Sequence, residues 1–437
     1  MSRDPMGYAL SAMQSLASSP IVDRLGARKF IEQLAYQGTK TGFKVVTTSS
    51  RQFQNIAQLV KPVRLDKPAK TQELFDLNIS EEQQMIRDNV QRLAMDILRQ
   101  AAEEADANRA TTAEVKAQVA ELGLMYYAIP EEFGGAGVER SPMTSLLIAE
   151  DLSLGDMGQA VAILTSMSVA NALTEWGSAT QQSKYLSAFL DEAKPLQATI
   201  AVNEPAPLFD PNRLSTKAQT NGQGYILNGV KSMVPVAANS ELFLVAADVA
   251  GKGPQIFVIE GNTEGLSIEE DHGMGIRAAG VAKLVLKDVH VGADALLGEG
   301  EFNYQSFIDY ARLSWCALAI GTCQAVLDYV KEYVNEREAF GEPISHRQSV
   351  AFMVANIGIE LEGMRIITQR AVSRAEMGMD FHKEAYLARV ACADKAMEIG
   401  TNGVQLLGGH GFTKEHPVER WYRDLRAVGI MEGGLHL

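Results

Sequence analysis

Cysteine is scarce: Cys316, Cys323 and Cys392 are the 3 among 437 residues, and none stands in a C-x-x-C pair. That excludes a disulfide framework or a zinc knuckle and predicts reduced thiols in a core. Long apolar runs are missing too. The best stretch, Trp315 to Leu327, falls short of the about 18 residues of a membrane span and is broken by Gly321, Thr322 and Gln324. Positive charge is in deficit, with 40 Lys and Arg against 54 Asp and Glu, net −14. Such a field repels phosphate backbones and excludes nucleic acid as a partner. H-E-x-x-H, G-x-S-x-G and P-loop strings are absent, and His410 and His416 lack a carboxylate or thiolate at ligand spacing, so no metal site is expected.

What is present is a 46% hydrophobic chain, long enough for two to four compact units at roughly 100–200 residues each. Charge is unevenly spread. Residues 1 to 70 hold 11 Lys or Arg and 4 Asp or Glu, or +7, leaving −21 for the rest. With their Ser-Pro, Thr-Ser-Ser and Lys-Pro breaks, residues 1–75 read as a basic extension added to a core. Asp4, Asp23, Glu32 and the length argue against a transit peptide, and the expected location is the cytoplasm, or the mitochondrial matrix of a eukaryote. The extension is a candidate for peripheral membrane or partner contact through its charge and through Tyr8, Leu10, Met13 and Leu16.

Apolar residues recur at helical spacing from Ser80 onward, as in Ile86, Val90, Leu93 and Ile97. Gly and Pro interrupt that pattern between Ala128 and Gly137. Between Gln197 and Val291 short β-rich runs alternate with turn residues such as Asn221-Gly222. Helical periodicity returns over 302–339, 345–378 and 382–407, with a stripe exemplified by Trp315, Leu318, Val326 and Val330. The fold class expected is mainly α with a central β-domain: a helical domain at 76–195, a β-barrel or sandwich at 196–295 and a helix bundle at 296–437. The string Gly273-Met-Gly275-Ile-Arg-Ala278 fits a dinucleotide fingerprint in letters only, because acidic residues precede it and a strand follows.

Several strings occur in order: Ile129-Pro-Glu-Glu-Phe-Gly-Gly-Ala-Gly137, Asn203-Glu-Pro205, Tyr225-Ile-Leu-Asn-Gly-Val-Lys231, Met274-Gly-Ile-Arg277, Arg337-Glu-Ala-Phe-Gly341 with Gln348, Gln405-Leu-Leu-Gly-Gly-His-Gly-Phe412 and Ile430-Met-Glu-Gly433. Together they resemble the acyl-CoA dehydrogenase family over residues 120 to 434. The resemblance implies a three-domain FAD flavoprotein, a homodimer or homotetramer, that desaturates an acyl-CoA thioester and passes electrons to an electron-transfer flavoprotein. It assigns the base to Glu432, with Ala311 offering no substitute on the helix before Arg312. It places Arg312 and Phe209 near the CoA arm, and Val202, Asn203, Met233 and Pro235 at the flavin ring. Arg337, Phe340 and Gln348 fall at the FAD diphosphate and adenosine side, and Gln405, Gly408 and Gly409 in a loop that reaches a neighbouring subunit's FAD.

The chain departs from the family where flavin and thioester sit. The family's T-E-P-G-A-G-S-D reads Asn203-Glu-Pro-Ala-Pro-Leu-Phe-Asp210, which narrows the expected CoA channel, and W-I-T reads Met233-Val-Pro235. Proline cannot supply the lost hydrogen-bond donor. Gly434 stands where the family has Thr after the catalytic Glu-Gly, and Leu437 falls before the segment that continues along the FAD in relatives. Two other readings therefore stand beside the dehydrogenase: a related flavin oxidase on a non-standard substrate, and a binding or scaffold protein without turnover.

Overall fold

Ser80 opens the first of the described helices with reciprocal caps: its Oγ accepts the Gln83 N–H at 3.1 Å, and Gln83 Oε1 accepts the Ser80 N–H at 3.0 Å. Such a box satisfies two otherwise orphaned donors and stabilises a helix start by about 1 kcal/mol. In this computed structural model the described residues are 79–137, 141–191, 193–298 and 302–435. The readings made for residues 1–75 lie outside them.

α1 (Glu81–Leu93) passes through a wider turn at Ala94–Leu98 into α2 (Arg99–Asn108). α3 (Ala113–Leu122) is followed by tight turns in which Pro130 bridges to Gly137. These turns are the Gly- and Pro-rich interruption expected from the sequence. α4 (Pro142–Gly155), α5 (Met157–Trp176) and α6 (Ala179–Tyr185) complete the helical layer. α4 is buried on nearly every side, so its sequence carries no one-sided stripe.

Seven strands follow: β1 (Ala198–Ala201), β2 (Lys217–Thr220), β3 (Gly224–Val234), β4 (Leu242–Val249), β5 (Gly253–Glu260), β6 (Leu266–Glu270) and β7 (Ala282–Gly292). Their order is β1-β4-β2-β3-β7-β6, with β5 paired to β4. Most pairs are antiparallel, but β4 runs parallel to both β1 and β2, which the absence of a βαβ pattern had not suggested. β2 and β6 escaped the sequence reading because only Ala218 of β2, and no residue of β6, is buried, leaving no alternation to see. β3 carries register shifts between Leu227 and Gly229 and between Lys231 and Val234. Bulges of this kind re-aim side chains, and the second one turns the strand at Ser232 and Met233.

The closing bundle is α7 (Tyr304–Glu336), α8 (Gln348–Glu376), α9 (His382–Leu407) and α10 (Val418–Asp424). α7 is long and apolar enough to cross a membrane, yet 72% of that stretch is buried inside the fold, which makes it the bundle's central helix. Trp315, Leu318, Val326 and Val330 all lie buried on it, as the stripe predicted. At Gly321 a Cβ would stand 1.9 Å from the Glu150 carbonyl oxygen, so the missing side chain lets α7 and α4 cross at contact. The three cysteines are free and buried. Residues 273–276 form a loop before the turn at Arg277–Ala279, and no helix opens there, in keeping with the rejected dinucleotide reading.

Candidate active site

Beyond α10 the chain turns tightly over Leu425–Gly429 and enters a segment held from three sides. Arg389 of α9 donates through Nη2 to the carbonyl oxygens of Met431 and, at 3.1 Å, of Gly433. Arg312 of α7 donates to the carbonyl between them, Glu432 O, through Nε at 3.2 Å and Nη2 at 3.0 Å. From the β-domain, Asn203 Oδ1 accepts the Glu432 N–H at 2.9 Å and Phe209 O accepts the Gly434 N–H at 2.9 Å. Three consecutive carbonyls thus face two buried guanidiniums, whose planar forks suit paired acceptors.

The backbone pays for this clamp with strain: Glu432 has φ +54° and Gly433 φ +101°. At Gly433 a Cβ would lie 2.5 Å from Pro211 Cδ, so only glycine fits. The result is a carboxyl that is 8% exposed and whose Oε2 has no hydrogen-bond partner. Burial pushes its pKa up to about 7, against the opposing pull of the Arg389 and Arg312 charges and the nearby Trp315 indole N–H.

Glu432 lines a cleft between the β-domain and the bundle enclosing about 1310 Å³, solvent at its mouth included. Val202, Asn203, Met233 and Pro235 line it from the β-domain and Trp315 from α7, so four of the sequence-derived site residues share one cavity with Glu432. Trp315 had registered only as part of a core stripe. Ser232 lines the same cleft with a hydroxyl that makes no hydrogen bond among the described residues. Its only sequence signal was its place just before Met233. The β-domain wall is anchored by a buried ion pair, Lys231 Nζ to Glu204 Oε1 at 2.8 Å. Burial alone would raise Glu204, but the Lys231 ammonium and the N–H groups of Thr216 and Ser215 outweigh it and bring the carboxyl down to about 2. Burial lowers Lys231 itself to about 8.

Two further residues of the sequence reading do not line this cleft. Arg312 donates to the Glu432 carbonyl oxygen, which the φ of Glu432 turns into the bundle. Phe209 is 8% exposed and packs into the core, while its neighbour Leu208, at φ +51°, is the residue turned out to solvent.

Arg337, Phe340 and Gln348 lie away from the cleft walls, around the short hairpin Glu338–Pro343 between α7 and α8. The Arg337 guanidinium and the Gln348 amide are exposed and unpaired among the described residues, and Phe340 is 96% exposed. The N-terminus of α8 has no side-chain cap, since Arg347 stands at that position. A free guanidinium, a free amide and uncapped helix N–H groups make a donor set suited to a diphosphate. Gln405, Gly408 and Gly409 cluster at the exposed end of α9, where Gly408 has φ +56° and both glycines have open space beside them. Among the described residues no group of three or more His, Cys, Asp or Glu is placed to hold a metal ion. Instead His410 and His416 stack at 5.5 Å and bond to Tyr333 and Tyr329.

Most of the described region is similar to known proteins. Residues 80–193, 199–289 and 298–435 match the family descriptions "Acyl-CoA dehydrogenase" N-terminal, middle and C-terminal domain, respectively. The mitochondrial short-chain specific acyl-CoA dehydrogenase of Mus musculus is 32% identical over 74% of this chain and 79% of its own. The butyryl-CoA dehydrogenase of Megasphaera elsdenii superposes with a TM-score of 0.75 at 27% identity, covering 82% of this chain and 96% of that one. A chain from a structure of the electron transferring flavoprotein of Acidaminococcus fermentans gives the same TM-score and coverage at 28% identity. Three matched domains in one unbroken order, and a relative 32% identical over 336 aligned residues, place the chain in the acyl-CoA dehydrogenase family.

Proposed function

We propose that this protein is an FAD-dependent dehydrogenase of acyl-CoA thioesters in which Glu432 removes the Cα proton. The observation that carries the reading is the carboxyl of Glu432: buried, without a partner on Oε2, raised to about 7, and lining the cleft. A base is useful when its pKa lies near the working pH, where it is ionised often enough to act and basic enough to hold the proton. Arg312 and Arg389 fix its backbone from behind, so its reach into the cleft is set before substrate arrives.

The residues present fit FAD. The cleft is walled mostly by apolar side chains with a few polar groups among them, the lining expected of a small-ligand site. Val202, Asn203, Met233 and Pro235 would flank the ring, and the free Ser232 hydroxyl offers the donor that Pro235 lacks. Arg337, Gln348 and the α8 N-terminus supply the diphosphate donors, with Phe340 beside them. When bound, FAD accepts the hydride from Cβ. The chain's own part is to exclude water with the apolar walls Leu146, Leu164 and Phe307, to hold the acyl group against Glu432 and to take up the proton there.

Gln405, Gly408 and Gly409 do not line the Glu432 cleft and serve a second copy of the chain in this reading. α8 exposes Phe352, Ile359 and Ile366 at seven-residue intervals, a face suited to burial in a homodimer or homotetramer. An electron-transfer flavoprotein is the acceptor proposed, on family likeness.

Anaerobic titration of the FAD-loaded protein with acyl-CoAs of increasing chain length tests the function. Bleaching of the flavin absorbance by at least one of them is expected. Loss of all flavin on desalting, or no bleaching at any length, overturns it.

A further inference from the structure

We infer that the Asn203 carboxamide is a gate on Glu432: its oxygen occupies the seat of an acyl carbonyl on the Glu432 N–H, and acyl thioesters bind by displacing it. The inference rests on the reading of Glu432 as the base. A ligand whose Cα meets that carboxylate carries its carbonyl oxygen two bonds further on, where a hydrogen-bond donor is needed. The single N–H that Glu432 can offer is already taken, at 2.9 Å, by Asn203 Oδ1. A side-chain amide oxygen and an acyl carbonyl oxygen are equivalent acceptors, so one excludes the other.

Asn203 and Glu432 both line the cleft, and they are 6% and 8% exposed, so the hydrogen bond is largely screened from bulk water. The Asn203 backbone is fixed: its carbonyl accepts the Ser232 N–H at 2.9 Å, and the next residue, Glu204, is tied to Lys231, Ser215 and Thr216. Only the side chain is free to turn. Its other end is held weakly, since Nδ2 has the Met431 thioether sulfur as its partner at 3.2 Å, and a thioether is a poor acceptor. The gate is therefore one good hydrogen bond and one poor one. Turned aside, the amide presents Nδ2 to the cleft and changes from an occupant of the seat into a donor beside it.

Binding of acetoacetyl-CoA, a thioester whose Cβ carries no hydrogen, to the FAD-loaded full chain isolates this step from turnover. Asn203→Ala empties the seat, and the Kd read from the flavin spectrum falls about three- to tenfold, the worth of one neutral hydrogen bond. Asn203→Asp keeps an acceptor there and charges it, so the Kd rises by at least as much. An unchanged or raised Kd in the alanine variant overturns the gate, and so does an unchanged or lowered Kd in the aspartate variant, which stands as the test if the alanine protein does not fold. A purely structural role moves both variants in the same direction and is refuted or upheld by the same pair. Wild-type protein that binds FAD but responds to no acyl-CoA removes the reading of the base along with the gate. Response in the wild type without the opposed shifts removes the gate alone.

Discussion

Replacing Glu432 with Gln keeps size and hydrogen-bonding shape while removing the one charge that the interior must otherwise accept. In the folded protein the carboxyl titrates at about 7, against an ordinary value of 4.5. A folded pKa raised above the unfolded one means that the native state binds more protons between those values, so stability is full below about pH 4.5 and is lost as pH rises through 7. The gap corresponds to about 3 kcal/mol once the carboxyl is fully ionised, at 1.36 kcal/mol per unit. Glu432→Gln therefore matches the wild type near pH 5 and exceeds it by up to about 3 kcal/mol at pH 8.5, while turnover drops by about 10²–10⁴ or more through loss of the base. Urea unfolding of both proteins at half-unit pH steps, with steady-state rates measured alongside, checks the two halves together. Stability curves that stay parallel across pH 5 to 8.5 would refute the burial argument, and undiminished turnover would refute the assignment of the base.

Wild-type turnover rises with pH through about 7 as Glu432 ionises, and Arg389→Met, which strips a stabilising positive charge from that carboxylate, shifts the rising limb to higher pH while Arg389→Lys leaves it near the wild type. Because the Met431 and Gly433 carbonyls lose their donor, the methionine variant is also about 2–5 kcal/mol less stable in urea unfolding. Lys231→Met leaves Glu204 buried without its partner and costs about 3–5 kcal/mol at neutral pH, and the double variant with Glu204→Gln recovers part of that loss in the same assay. Arg337→Ala raises the FAD Kd by about ten- to a hundredfold in fluorescence titration, and an unchanged Kd removes that residue from the diphosphate site.

The three-part architecture was legible because its signals are local. Ser80 caps a helix within one turn, the Trp315 to Val330 stripe repeats on one face, and Gly-Pro clusters punctuate the turns. β2 and β6 left no trace because their side chains are mostly solvated, so no alternation marks them, and the strands exist through backbone pairing with their neighbours. At the site, Glu432 was visible only through the string around it. Isolated, a glutamate before glycine carries no hint of the two arginines, Arg312 and Arg389, that clamp the backbone around it from distant helices. Arg389 was invisible for the same reason, and the bond from Arg312 to the Glu432 carbonyl could not be foreseen because nothing in the letters tells that residue 432 takes a positive φ.

The acid belongs to no single layer of the molecule. Its own carbonyl is moored to the helices and the Gly434 amide two residues on to the β-domain, so the two layers set the position of the reacting oxygen jointly. Warming or a mild denaturant that lets sheet and bundle slip by a fraction of an ångström disarms the enzyme while its circular dichroism is still that of the native fold. Inactivation thus precedes melting, and stabilising either layer alone leaves the catalytic lifetime where it was.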